Sequence, residues 1–179
     1  MPVVSAAAMH FGTGGERALI ALVGRPNVGK STLFNRLTHS REALVADHPG
    51  LTRDRKYGLG EHAGRALMWV DTGGLTGEKE AMDTAVAKQT RLAIDAADLV
   101  LLLLDARAGV TAADLDIAAE LRGSGSTSLL VLNKSDGQDL SEVMADAYAL
   151  GLGAPLPISA VHGRGIGQLL DVILHRLPP

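Results

Sequence analysis

Lys30 and Ser31 close the octapeptide Gly24-Arg25-Pro26-Asn27-Val28-Gly29-Lys30-Ser31, which fits the pattern G-x-x-x-x-G-K-S/T. The apolar run Leu19 to Val23 precedes it, and Thr32-Leu33-Phe34-Asn35-Arg36-Leu37 follows as the first turns of an amphipathic helix. A strand that turns into a helix through such a loop is suited to phosphate. Gly24 and Gly29 admit backbone angles that let successive N–H groups converge on phosphate oxygens, and the helix adds its positive dipole end. Lys30 is expected on the outer phosphates and the Ser31 hydroxyl on Mg²⁺.

Four further stretches carry chemistry of the same kind. Asp71-Thr72-Gly73-Gly74 follows the apolar run Ala66 to Val70; Asp71 is expected to hold Mg²⁺ through water and the Gly74 N–H to sense a γ-phosphate. Asn133-Lys134-Ser135-Asp136 follows the apolar run ending at Leu132. Its Asp136 can accept hydrogen bonds from the guanine N1–H and exocyclic amine, a donor pair that adenine lacks. Asn133 is expected to tie that loop to the purine and to the phosphate loop, and the Lys134 stem to cover a base face. Ser159-Ala160 offers a backbone N–H to the guanine carbonyl. Thr52 is the only threonine between His39 and Arg55, which makes it the candidate second hydroxyl ligand of Mg²⁺.

These pieces need a scaffold that delivers strand ends to one edge. Strands are expected at 19–23, 56–60, 66–70, 99–104, 128–132 and 156–158. Helices are expected from the phosphate loop to about Thr38, from about Ala81 to Ala97, from a Thr111 cap to Gly123, from about Ser141 to Leu150, and from Ile166 to Leu177. Leu99 to Leu104 is apolar on both faces, as in a central parallel strand covered by helices. Alternating strands and helices with phosphate chemistry at strand ends predict an α/β fold with a doubly wound, mostly parallel sheet. Residues 1–16 are expected to be a flexible extension and residues 17–179 a single domain. Two loops without apolar periodicity, His39 to Arg55 and Thr72 to Glu80, are expected to switch with the nucleotide.

Composition narrows the alternatives. The chain has 179 residues, 46% of them hydrophobic but only 3% aromatic, so its core must be aliphatic. A net charge of -3 argues against direct nucleic-acid binding, and the absence of cysteine excludes disulfides and thiolate metal sites. No apolar run approaches the length of a membrane span, and no basic residue precedes Arg17 as in an export signal. A cytoplasmic protein is the expectation.

Asn27 to Phe34, the loop Asp47-His48-Pro49-Gly50-Leu51-Thr52-Arg53-Asp54-Arg55, Asp71 to Leu75, Asn133 to Asp136 and Ser159-Ala160 together resemble the first G domain of the EngA/Der GTPases, bacterial ribosome-assembly factors. The resemblance covers about Ala18 to Leu177. It implies GTP binding and hydrolysis coupled to maturation of the large ribosomal subunit, with Lys30, Thr52, Gly74 and Asn27 serving catalysis. Family members also carry a second G domain and a KH-like domain, which this sequence lacks, so ribosome contact is expected through those parts. Leu75 stands where Ras-like GTPases place a water-orienting glutamine. In GTPases with a similar loop, the residue at Asn27 helps hold K⁺ against the phosphates; bracing of the loop is the alternative role. Arg25, Arg53 and Arg55 receive no catalytic assignment. Two other functions are compatible with the motifs: a related G protein of RNA modification or ferrous-iron transport, and a GTP/GDP-dependent binding module with negligible turnover.

Overall fold

The computed structural model describes residues 17–38, 56–73 and 90–178. Its elements are β1 (Ala18–Val23), α1 (Lys30–Leu37), β2 (Lys56–His62), β3 (Arg65–Asp71), a helical stretch α2 at 90–96, β4 (Leu99–Asp105), α3 (Ala112–Ser124), β5 (Ser128–Asn133), α4 (Ser141–Tyr148), β6 (Leu156–Pro157) and α5 (Ile166–Arg176). The strands form one sheet in the order β2-β3-β1-β4-β5-β6. Every neighbouring pair is parallel except β2 with β3.

Alternation along the strands sends side chains to two cores. Ile20, Leu22, Trp69, Leu101, Leu103 and Val131 face α1 and α5, meeting Leu33, Phe34, Leu37, Leu169 and Ile173. Ala21, Val23, Val70, Leu102, Leu104 and Leu132 face the other way, meeting Ala93 and Ile94 of α2, Ala118 and Leu121 of α3, and Val143 and Ala147 of α4. Burial on both sides is why β1 and β4 read as unbroken apolar runs. The chain leaves β1 toward β3 on one side and returns to β4 on the other. A crevice therefore opens at the C-terminal ends of β1 and β4, where doubly wound sheets bind ligands.

The expected strands and helices are present wherever residues are described, with small differences in bounds. Thr111 caps α3 as expected: it accepts from Asp114 N, while Asp114 Oδ2 accepts from Thr111 N at 2.9 Å, a reciprocal capping box. The helix does not stop at Gly123 but runs to Ser124, because the left-handed turn that ends it falls at Gly125, φ 72°. Similarly α4 ends at Tyr148 rather than Leu150. The expected extension 1–16, the loop 39–55, residues 74–80 of the second loop and residues 81–89 of the second helix lie outside the described residues.

Candidate nucleotide-binding site

The loop between β1 and α1 presents an uncapped helix end. No side chain caps α1, and its first turn contains no acidic residue, so its leading N–H groups are open to an anion. Lys30 is buried, and its ammonium donates to the carbonyls of Gly24 at 2.6 Å and Arg25 at 2.7 Å. Those two bonds hold the side chain back across the loop and leave a third proton for a ligand. Burial lowers the Lys30 pKa, opposed by the nearby Asp71 carboxylate and reinforced by Arg25.

Asp71 ends β3 next to this loop, with β1 and β3 in register from Ala18↔Leu67 to Leu22↔Asp71. It is fully buried; one oxygen accepts from Gly73 N at 3.0 Å and the other from the Ser31 hydroxyl at 3.2 Å. Two hard oxygen donors from separate elements, side by side next to a phosphate loop, suit Mg²⁺. Thr72 turns away from this cluster, its hydroxyl donating to Leu22 O at 2.8 Å.

The second half of the site lies at the ends of β4, β5 and β6. Asn133 is buried and joins two loops with its amide: Nδ2 donates to Val28 O at 2.9 Å, and Oδ1 accepts from Ala160 N at 3.0 Å. Gly29 makes room for it, since a Cβ there would lie 2.2 Å from Asn133 Nδ2. Lys134, at φ 60°, sends its ammonium to Asn27 O at 2.9 Å and to Asp105 Oδ2 at 2.8 Å. Asp105 also accepts from the N–H groups of Arg107 and Ala108. Burial pushes the Asp105 carboxyl up, but Lys134 and those N–H groups outweigh it and hold the pKa below the ordinary value.

A cavity of about 540 Å³ opens between these loops, with Asp136, Lys134 and Asn133 among its lining. Asp136 lies 3.4 Å from His162 Nε2 and 3.8 Å from Arg107 Nη2. Its pKa is lowered chiefly by its own backbone N–H; desolvation opposes this, and the Ser159 hydroxyl, His162 and Arg107 add to the lowering. An ionised carboxylate with acceptor capacity therefore faces a space of ligand size. Two backbone donors of the last loop are already engaged: Ser159 N donates to Arg164 O at 3.0 Å, and Ala160 N to Asn133. A ligand carbonyl at Ala160 would share that N–H with Asn133.

The structure thus brings together residues 24–32, 71–73, 133–136 and 159–160. Thr52, Gly74, Leu75, Arg53 and Arg55 lie outside the described residues. Arg25 is not a free cation: its Nε donates to the buried Asp114 at 3.0 Å. Sequence reasoning missed Asp105, Arg107, His162 and Asp114 as parts of this region. Asp105 carried a signal, because it ends the central apolar strand next to the crevice. Arg107 and His162 belong to no motif; Asp114 belongs to the Thr111 cap, and only the fold reveals its bond to Arg25.

The profile of the 50S ribosome-binding GTPases matches residues 19–134. The chain belongs to this family. It is 59% identical over 160 residues to GTPase Der of Thioalkalivibrio sulfidiphilus, covering 89% of this chain and 34% of that protein. With GTPase Der of Serratia proteamaculans it shares 57% over 156 residues, covering 87% and 32%. The chain therefore spans about a third of the length of these relatives. Era of Aquifex aeolicus, crystallised with GDP and AlF₄⁻, superposes with a TM-score of 0.76 at 26% identity, over 92% of this chain and 58% of that one. The G domain of the T. maritima iron transporter FeoB gives 0.65 at 28% identity, over 90% and 99%. The fold is thus the G domain of the 50S ribosome-binding GTPases. Among the described residues no helix is long and apolar enough to cross a membrane.

Proposed function

We propose that residues 17–179 form one G domain that binds GTP and GDP, hydrolyses GTP to GDP and phosphate, and acts in assembly of the large ribosomal subunit as part of a longer protein. The observation that carries this reading is Asp136: an ionised carboxylate in a cavity joined through Asn133 to the phosphate loop. That joint sets a purine reader and a phosphate cradle in one rigid frame. Membership of the 50S ribosome-binding GTPases supports the ribosomal role, with further domains of the full-length protein making the contact.

Lys30 and the open N–H groups of α1 neutralise the β- and γ-phosphates as charge shifts onto them during in-line attack by water. Ser31, Asp71 and Thr52 would hold Mg²⁺, which when bound would screen the phosphate charge. Gly74 donates its N–H to the γ-phosphate and reports its loss. Leu75 has no group to orient the attacking water, so turnover by the domain alone is slow. Asn27 would contribute an oxygen to a K⁺ ion, whose positive charge would stabilise the phosphate charge and so raise that rate. Binding to GTP, GDP and ATP by calorimetry tests the reading, with guanine nucleotides expected to bind far more tightly. Equal affinity for ATP overturns it, and multiple-turnover phosphate release separates hydrolysis from a switch without turnover.

A further inference from the structure

Arg36 stands in the last turn of α1, the helix that starts at the phosphate loop, yet its guanidinium reaches the loop after β6. Nε donates to Ala160 O at 2.6 Å and Nη2 to Val161 O at 2.9 Å. A third observation fits this seat. Gly163, at φ +72°, packs so closely on the guanidinium that a Cβ would lie 2.8 Å from Arg36 Nη1.

Peptide planarity gives the fork a consequence. In a trans peptide the N–H points opposite to the C=O, so capturing the Ala160 carbonyl turns the Val161 N–H away from α1. Val161 is one of the residues that line the cavity. The Ala160 N–H is already held by Asn133, and the next donor along, His162 N, is 3.3 Å from the Ser159 hydroxyl. Among these three neighbours, the Val161 N–H is the donor left to meet a ligand.

We propose that Arg36 is a positioning residue for base recognition: by gripping the carbonyls of Ala160 and Val161 from outside, it aims the Val161 N–H at the carbonyl of a bound guanine. The role rests on the guanine-binding reading above. It belongs to the side chain's geometry as well as its charge, because a planar fork serves two carbonyls at once and a lysine ammonium in the same place has no such fit.

The test compares two ligands on the same protein. GDP carries the base carbonyl; the diphosphate of aminopurine riboside keeps the exocyclic amine and lacks that carbonyl. Arg36→Ala is expected to weaken GDP binding about tenfold, as befits loss of hydrogen bonds to a charged group. It should leave the aminopurine ligand nearly unchanged, and Arg36→Lys should restore part of the GDP affinity. Gly163→Ala, which pushes on the guanidinium without removing it, should move GDP binding the same way and serves if Arg36→Ala does not fold. Equal losses for both ligands, or none for GDP, overturn the proposal. Wild-type protein that binds ADP as well as GDP refutes the guanine reading itself, so the two failures are distinct.

Discussion

Gly29 and Asn133 are in contact across 104 positions of sequence, and the contact depends on what Gly29 lacks: a Cβ on it would overlap Asn133 Nδ2. Through this gap the base-side loop grips the phosphate loop at Val28 O. Gly29→Ala must displace the amide and also strains a residue at φ +103°. We expect GDP affinity to drop at least tenfold with the fold retained, measured by calorimetry alongside circular dichroism. Unchanged affinity would mean that the contact is incidental.

Removing the ammonium by Lys30→Ala leaves phosphate charge facing two loop carbonyls, Gly24 O and Arg25 O, with no cation between them. Loss of a hydrogen bond to a charged group costs about 1.5–3 kcal/mol, roughly one to two orders of magnitude in GTP affinity. Full affinity and turnover in this variant would contradict the assignment.

Asp136→Asn replaces an acceptor-only group with one that also donates. GTP should bind at least tenfold more weakly and xanthosine triphosphate more tightly, the difference read by competition against a fluorescent nucleotide. A variant that keeps its preference for guanine would move the reading of the base elsewhere in the cavity.

The same carboxylate has a lowered pKa, chiefly from its own backbone N–H, and Asp105 is lowered as well, chiefly through Lys134 once burial is overcome. For a depressed carboxyl, the stabilisation is complete above the unfolded pKa and is lost as pH falls through the folded one. The preference for GDP over ADP should therefore hold unchanged from pH 7 down to about 5, above the ordinary aspartate value. Carboxyl titration by NMR should place both midpoints below that value, and Lys134→Ala should raise that of Asp105. A midpoint at or above the reference for Asp136 would contradict this electrostatic account.

The reading of Asn27 as a K⁺ ligand makes a separate demand. Phosphate release should quicken when K⁺ replaces Na⁺ at constant ionic strength, and Asn27→Ala should remove most of that gain while sparing GDP binding. Equal rates in the two salts would leave Asn27, whose carbonyl already accepts from Lys134, as a brace of the loop.

Sequence revealed the phosphate loop, Asp71, the 133–136 stretch and the alternation of strands and helices, because each depends on local pattern: glycines at a turn, a carboxylate after an apolar run, apolar periods of two faces. It did not reveal that Asp105 anchors Lys134 or that Arg36 grips Ala160. Those pairings join elements 29 and 124 positions apart, and nothing in the spacing of single residues encodes which strand ends become neighbours. Helix ends behaved the same way at smaller scale. Gly123 and Gly125 are equivalent stops by composition, and only the backbone decides which one turns left-handed.

Asp114 divides its carboxylate between two tasks. Oδ1 takes Arg25 of the phosphate loop, and Oδ2 fastens Thr111 at the start of α3. The first turn of a helix on the far face of the sheet is thereby geared to the loop that holds the phosphates. Any displacement of Arg25 would therefore pull on the same carboxylate that closes the cap of α3.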